Sequence, residues 1–172
     1  MAVQILVRSA TADDADEIAR VHIESWQGAY RGQIPDEYLD SLSIDKRKLV
    51  WRRSLRLEGR DETNWVVERD GTIVGFAGAG RTRDDDAEEG TGEIFAVYVV
   101  APHWDTGAGR ALIVEAMGWL RERFTRATLW VLDTNDRARR FYEKAGWAPD
   151  GATKDDDRES FVLREVRYRI DS

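Results

Sequence analysis

The residues best suited to chemistry begin with two glycines, Gly107 and Gly109, which lie between an apolar run and a helix-forming stretch. The run, Ile94 to Ala101, is rich in valine and predicts a strand buried on both faces. After Arg110, apolar residues recur every fourth position, which is the period of a helix. The first turn of a helix has unpaired backbone N–H groups, and glycines let a phosphate approach them because no Cβ intervenes. The segment therefore predicts a phosphate-binding turn.

This glycine motif has other interpretations when it is taken alone. It is also typical of a tight strand-to-helix turn that binds nothing, and such short motifs often match by chance. A dinucleotide-binding turn of the Rossmann type is disfavoured, because its third glycine would fall on Leu112. The glycines by themselves leave phosphate binding and a plain turn as alternatives.

A second strand and helix carry further residues suited to catalysis. Leu129 to Leu132 predicts a short buried strand, and polar residues followed by Phe141 and Tyr142 come after it. The two segments together give the patterns Trp104-x-x-Gly107-x-Gly109, with Arg110-Ala111-Leu112, and Asn135-x-x-Ala138-x-x-Phe141-Tyr142-x-x-x-Gly146-Trp147. In this the chain resembles the GCN5-related N-acetyltransferase (GNAT) superfamily. The family usually has Arg or Gln at the position of Trp104 and often Gly at the position of Asp105.

The resemblance implies a fold and an activity. The fold is a single GNAT domain over residues 1–172, with a central mixed, mostly antiparallel sheet of six to seven strands and helices on both faces. The activity is transfer of an acetyl group from acetyl-CoA, the cosubstrate, to a primary amine of an unidentified acceptor. Since the chain has no cysteine, direct attack in a ternary complex is favoured over an acyl-enzyme. A homodimer is the assembly that the family suggests.

The resemblance also implies how CoA binds. Its pyrophosphate would lie on backbone N–H groups of the glycine turn, and its pantetheine arm would pair with the first strand where the two central strands separate. Asn135 would hydrogen-bond the arm, although its position equally predicts a plain N-cap of the following helix. The residues assigned to CoA are Val97, Tyr98, Val99, Asp105, Thr106, Gly107, Ala108, Gly109, Arg110, Asn135 and Tyr142.

Tyr142 and Glu93 are the predicted catalytic residues. A phenol has a reference pKa of about 10 and a thiol one of about 8.5, so Tyr142 would hydrogen-bond the departing sulfur rather than transfer its proton fully. Glu93 matches the glutamate base of the histone-modifying branch and would act directly or through water, with Asp133 as the alternative base. Without the resemblance, Tyr142 would be interpreted as a packed aromatic residue and Glu93 as an ordinary charged strand end.

Trp26 and Tyr30 are predicted to bind the acceptor, because the N-terminal helices of the family border the acceptor site. The alternative is that both fill the core beside a helix end. An acidic stretch from Arg83 to Gly92 predicts either a solvated loop or a rim that attracts cations. The net charge of −7 mildly favours a cationic acceptor, although acidic surfaces usually serve only solubility.

The remaining pattern supplies the elements that position these residues. We expect a strand at Gln4–Arg8, a helix to about Trp26, a loop or broken helix to Pro35, a short helix to Leu42 and a longer one from Ile44 to about Leu57. A hairpin turns at Asp70-Gly71, Gly146 ends the helix that follows Asn135, and Phe161–Ile170 forms the last strand. Asp150–Ser160 is predicted as an acidic loop, with one more short strand allowed after Trp147.

The composition excludes several classes of function. With no cysteine and two histidines, a metal site is not expected. No apolar run approaches the ~20 residues of a membrane helix, and no secretory signal is evident, so a cytoplasmic protein is expected. The negative net charge argues against nucleic acid. The alternative functions are a non-catalytic acyl-CoA-binding sensor and, less favoured, a structural partner protein.

Overall fold

The computed structural model describes residues 2–57 and 61–171. The strands are Ile5–Ser9 (β1), Glu62–Arg69 (β2), Thr72–Arg81 (β3), Thr91–Val99 (β4), Arg126–Leu132 (β5), Ala148–Asp157 (β6) and Val162–Asp171 (β7). They form one seven-stranded sheet in the order β1-β2-β3-β4-β5-β7-β6. Only β4 and β5 are parallel; the other neighbours are antiparallel. The predicted mixed, mostly antiparallel sheet is confirmed.

The helices are Ala15–Tyr30 (α1), Asp36–Ser41 (α2), Ile44–Arg56 (α3), Ala108–Arg121 (α4) and Asp136–Lys144 (α5), with 3₁₀ turns at Ala12–Asp14 and Ala101–His103. α1 and α3 pack on one face of the sheet, and α4 packs on the other. The apolar stripe predicted for α4 is confirmed, since Leu112, Ala116 and Leu120 are all buried. Within the described ranges, no helix has the length and apolar character to cross a membrane.

Local signals in the sequence predicted several element ends correctly. Asp70 and Gly71 both have positive φ, 50° and 81°, which is the two-residue turn that joins twisted antiparallel strands. Ser43 caps α3 by accepting a hydrogen bond from the backbone N–H of Lys46 at 3.2 Å. Gly146, with φ of 96°, ends α5.

The predicted end of the first helix at Trp26 is wrong, because α1 continues to Tyr30. Trp26 and Tyr30 are four residues apart and therefore share a helix face. Their rings meet edge to face at 5.1 Å, and Tyr30 is buried. This packing favours the additional helical turn, which the loop-like composition of the segment does not reveal.

The predicted acidic loop at Asp150–Ser160 is also wrong over most of its length. β6 runs through Asp157 and pairs with β7, so the strand allowed after Trp147 exists and is ten residues long. Its carboxylates bind arginines of β7 at the sheet edge, the exposed Asp155 on Arg164 and the partly buried Asp150 on Arg167. A charged edge strand resists pairing with other chains.

Candidate active site

The two parallel central strands separate part of the way along their length. β4 and β5 pair only from Thr91–Arg126 to Ile94–Leu129. Beyond that point Phe95 is an additional residue in the pairing of β4 with β3, which is a β-bulge. The opening that follows contains a cavity of about 1070 Å³. The resemblance to the family implied this separation of the strands.

Alternate peptide groups of β4 face this opening. The N–H of Val100 donates to the carbonyl of Val74 on β3, and in an antiparallel ladder the residues two positions apart face the same neighbour. The peptide groups of Tyr98 therefore face β3, whereas those of Val97 and Val99 face the opening. The Val99 carbonyl accepts a hydrogen bond from Trp104 Nε1 at 2.8 Å. The ring of Tyr98 stacks on His22, with centroids 5.5 Å apart.

The glycine turn forms the N-terminus of α4. Gly107 is the N-cap residue and has φ of 94°, a conformation that other residues rarely adopt. Asp105 has φ of 58°, which explains why the family often has glycine at this position. The N–H of Ala111 donates to the Gly107 carbonyl at 3.0 Å, so the N–H groups just before Ala111 have no acceptor within the helix. Gly107, Gly109 and Arg110 line the cavity.

Asn135 caps α5, as the plain N-cap interpretation predicted. Its Oδ1 accepts from the backbone N–H of Ala138 at 3.2 Å. Its amide nitrogen has no hydrogen-bond partner within residues 2–57 and 61–171, and the residue lines the cavity. Capping therefore occupies the side-chain oxygen and leaves two N–H donors available.

The sequence interpretation missed a group of cations on α5. Arg137, Arg140 and Lys144 line the cavity, and their spacing of three and four residues, which places them on one helix face, was a signal that could have found them. The Arg137 guanidinium lies 3.8 Å from the centre of the Trp104 ring, and burial lowers its pKa. Trp104 thus supports a guanidinium near the position where the family usually has Arg or Gln.

Tyr142 lies deep in the cavity wall, 8% exposed, between the rings of Phe141 and Trp147. Burial raises the pKa of its phenol, because the ionised form would lose its hydration, and the nearby Tyr98 acts in the same direction. The phenol is therefore protonated at neutral pH and can donate a hydrogen bond into the cavity.

Glu93 lies near the start of β4 and lines the same cavity. Its carboxylate accepts hydrogen bonds from the Arg83 backbone N–H at 2.9 Å and from Thr82 Oγ1 at 3.2 Å. Burial raises its pKa, and the charge of Asp84 adds to the rise. A buried carboxylate with a raised pKa is suited to accept a proton near neutral pH. Asp133, the alternative base, is not among the residues that line the cavity.

A second cavity, of about 410 Å³, lies on the face of the sheet covered by α1 and α3. It shares Phe95, Ala96 and Tyr98 with the first. Of the two residues predicted to bind the acceptor, Trp26 lines the second cavity and Tyr30 the first. Both residues also pack in a small apolar cluster, so the core interpretation holds for them as well.

The acidic stretch before β4 is held by other side chains of this protein. Asp84 accepts from Trp130 Nε1 at 3.0 Å, and Arg167 pairs with Asp84 and Asp86. Glu88 pairs with Arg126 and with Arg169. Asp84 is only 14% exposed, whereas Asp86 and Glu88 stay 68% and 65% exposed while paired with arginines. The predicted solvated loop therefore describes Asp86 and Glu88, but not Asp84.

Comparison with known proteins places this architecture in a family. The model of the acetyltransferase (GNAT) family matches residues 20–147. YuaI of Bacillus subtilis, described as an uncharacterized N-acetyltransferase, is 32% identical over 170 residues, covering 96% of this chain and 89% of that protein. An uncharacterized N-acetyltransferase of Archaeoglobus fulgidus is 32% identical over 139 residues, covering 79% of this chain and 88% of that protein.

Solved structures share the whole fold at low identity. The PaiA N-acetyltransferase of Thermoplasma acidophilum, solved in complex with coenzyme A, has a TM-score of 0.76 and 20% identity over 98% of this chain and 99% of that one. YncA of Salmonella typhimurium, a putative acetyltransferase solved with acetyl-CoA, has a TM-score of 0.71 and 18% identity over 98% and 94%. The chain belongs to the acetyltransferase (GNAT) family and is by class an acyltransferase.

Proposed function

We propose that the protein transfers an acetyl group from acetyl-CoA to a primary amine, and that the amine attacks the thioester directly in a ternary complex. The observation that carries this proposal is the single cavity at the opening between β4 and β5, which is lined by the glycine turn, by Glu93 and by Tyr142. The coenzyme A and acetyl-CoA present in PaiA and YncA support the choice of cosubstrate.

The turn and α5 bind the phosphates. The backbone N–H groups of Asp105, Thr106, Gly107, Ala108, Gly109 and Arg110 surround the pyrophosphate, where the helix dipole of α4 adds a favourable field. Arg137, Arg140 and Lys144 contribute positive charge from α5, which lines the same cavity. This arrangement compensates for the tryptophan at position 104.

The opening between the strands binds the pantetheine arm. The peptide groups of Val97 and Val99 pair with its amides as an added strand would. Tyr98 contributes its ring to the wall, because its peptide groups are used by β3. The amide nitrogen of Asn135 donates to an arm carbonyl while its oxygen caps α5. The thioester then lies beside Tyr142.

The chemistry follows from Glu93 and Tyr142. Glu93 accepts a proton from the acceptor ammonium, directly or through water, so that a neutral amine attacks the thioester carbon. The C–N bond forms, the C–S bond breaks, and the Tyr142 phenol hydrogen-bonds the departing sulfur. The attacking nitrogen then loses its second proton and the CoA thiolate takes one up, so that the products are the N-acetylated amine and CoA thiol. Trp26 and Tyr30 bind the acceptor on the α1 side.

The substitution Tyr142→Phe tests this function. Loss of the phenol should lower kcat for thiol release by about 100-fold, the low end of general acid contributions. The dissociation constant for acetyl-CoA, measured by calorimetry, should change by less than about twofold, because no binding contact to the phosphates is lost.

Tyr168→Phe is the matched control, since Tyr168 is buried and does not line the cavity. It should keep kcat within about twofold of the wild-type value. Absence of acetyl-CoA binding would refute the proposal. Tight binding with no turnover over a panel of amines would instead identify the non-catalytic sensor.

A further inference from the structure

The second cavity is placed to hold the acceptor. It lies against β4 on the face opposite α4 and shares Phe95, Ala96 and Tyr98 with the proposed CoA cavity. A molecule held there can therefore present an amine at the opening between β4 and β5. Its volume of about 410 Å³ suits a small ligand, because such sites span roughly 300–1000 Å³.

Aromatic rings form most of its apolar wall. Trp51 stands edge to face on Phe76 with centroids 5.1 Å apart, and Phe76 lies 5.6 Å from Tyr98. Trp26 and Phe95 complete this wall. Rings in edge-to-face and tilted contact present both ring faces and ring edges, and another ring packs favourably against either. The wall thus fits an acceptor with an aromatic body.

The charged side chains of this cavity are mainly cationic. Arg47, Arg83 and Arg158 line it together with one carboxylate, that of Glu62. Glu62 binds Arg83 at 3.0 Å, and Asp156 binds Arg158 at 2.7 Å. The local charge is therefore opposite in sign to the net charge of −7 that the chain carries as a whole.

Arg47 is the cation of this wall that lacks a counter-ion. It lies in the first turn of α3 and is half-buried, and within residues 2–57 and 61–171 it makes no side-chain hydrogen bond or ion pair. His22 beside it is neutral, since burial holds its pKa at about 3. A half-buried guanidinium without a partner is unfavourable, and its planar donors match a carboxylate.

We propose that the acceptor is a small amine with an aromatic body and a carboxylate, as in an aromatic amino acid, and that Arg47 binds its carboxylate. This inference rests on the transferase function proposed above. A polyamine is disfavoured, because it would place positive charge beside Arg47 while Asp84, Asp86 and Glu88 are already bound by arginines of the chain or by Trp130.

A binding experiment without turnover tests the cavity directly. Calorimetry with 3-phenylpropanoate, which has the ring and the carboxylate but no amine, should show binding to the wild-type protein. Arg47→Gln should weaken that binding at least tenfold, and Arg47→Lys should recover part of it because the charge returns without the planar fork. Arg53→Gln is the matched control on α3: Arg53 is exposed and lines neither cavity, so affinity should stay within twofold.

A kinetic experiment then tests the acceptor itself. Thiol release with L-phenylalanine should exceed that with phenethylamine, which lacks the carboxylate, and with spermidine. Arg47→Gln should raise KM for L-phenylalanine at least tenfold with little change in kcat, and should remove the preference over phenethylamine. A merely structural role for Arg47 would lower activity with both amines alike.

The two proposals fail in different ways. If acetyl-CoA binds but 3-phenylpropanoate does not, or if spermidine is the better acceptor, the inference about the acceptor is overturned and the transferase stands. If 3-phenylpropanoate binds through Arg47 but acetyl-CoA does not, the carboxylate site stands and the transferase falls.

Discussion

At the scale of single residues, burial decides the chemistry of the two groups proposed to be catalytic. Glu93 and Tyr142 are 7% and 8% exposed, and burial raises the pKa of both. For the phenol this preserves the protonated donor. For Glu93 the raised pKa makes the carboxylate a stronger base, and hydrogen bonds from the Arg83 backbone N–H and the Thr82 hydroxyl keep the carboxylate oriented. The same environment therefore prepares an acid and a base.

Glu93→Gln should change the pH dependence of catalysis. In the wild-type protein kcat/KM should fall as the pH drops through the raised pKa of Glu93, because protonation removes the base. The pH profile of the variant should lack this acidic limb, and its kcat/KM at pH 8 should be about 100-fold below that of the wild-type protein. A pH profile of thiol release measures both. An acidic limb that persists in the variant would assign it to another group.

The same substitution should stabilise the fold at neutral pH. A carboxyl group whose pKa is raised by folding binds more protons in the folded state, so stability falls as the pH rises from the unfolded value of about 4.3 through the raised value. Glu93→Gln should therefore raise Tm at pH 7.5, and the gain should vanish near pH 4. Equal gains at both pH values would show that desolvation is not the cause.

At the scale of elements, the site depends on how closely β4 approaches α4. A Cβ added at Gly92 would lie 2.6 Å from Leu120 and 2.7 Å from Phe124, which is closer than side-chain carbons pack. Gly92 thus lets the strand pass directly beneath the helix. The glycine turn at the start of α4 and Glu93 on β4 take their relative positions from this contact.

Gly92→Ala should therefore destabilise the protein, by about 1–3 kcal/mol, because overpacking displaces the helix. Gly118→Ala is the matched control within α4. It is exposed, has nothing within 4 Å of an added Cβ, and should stabilise by roughly 0.5–1 kcal/mol through helix propensity. Urea unfolding measures both. A neutral Gly92→Ala would mean that the strand and the helix yield without strain.

At the scale of the whole molecule, one arginine joins segments that are distant in sequence. Arg167 of β7 binds Asp84 and Asp86 before β4 and Asp150 of β6. Its side chain is only 14% exposed, and the carboxylate-bearing side chains of Asp84 and Asp150 are 14% and 17% exposed. The loop that supports Glu93 is therefore fixed to the far edge of the sheet.

Arg167→Gln should lower the free energy of unfolding by roughly 3 kcal/mol, because partly buried carboxylates lose their counter-ion. Arg164→Gln, on the same strand as Arg167, removes an exposed ion pair with Asp155. It should change the free energy of unfolding by less than about 1 kcal/mol. Denaturant unfolding compares the two variants. Similar values for both would show that the Arg167 cluster contributes no more than a surface pair.

The sequence by itself determined the parts that depend on residues close in the chain. The glycine turn, the caps at Ser43 and Asn135 and the hairpin at Asp70-Gly71 each follow from local backbone or capping requirements. The two motif halves sufficed for the family, the sheet type and the cavity residues Asn135 and Tyr142, and the resemblance at the start of β4 added Glu93.

Only the tertiary structure decided what depends on distant partners. β6 forms because its backbone pairs with β7 and its carboxylates bind arginines of β7. α1 extends to Tyr30 because the Tyr30 side chain is buried there. The peptide groups of Val97 and Val99 face the opening because those of Tyr98 and Val100 pair with β3. Arg47 lines an aromatic cavity because α3 packs on α1. These features arise from contacts between segments far apart in sequence, so no local pattern of residues specifies them.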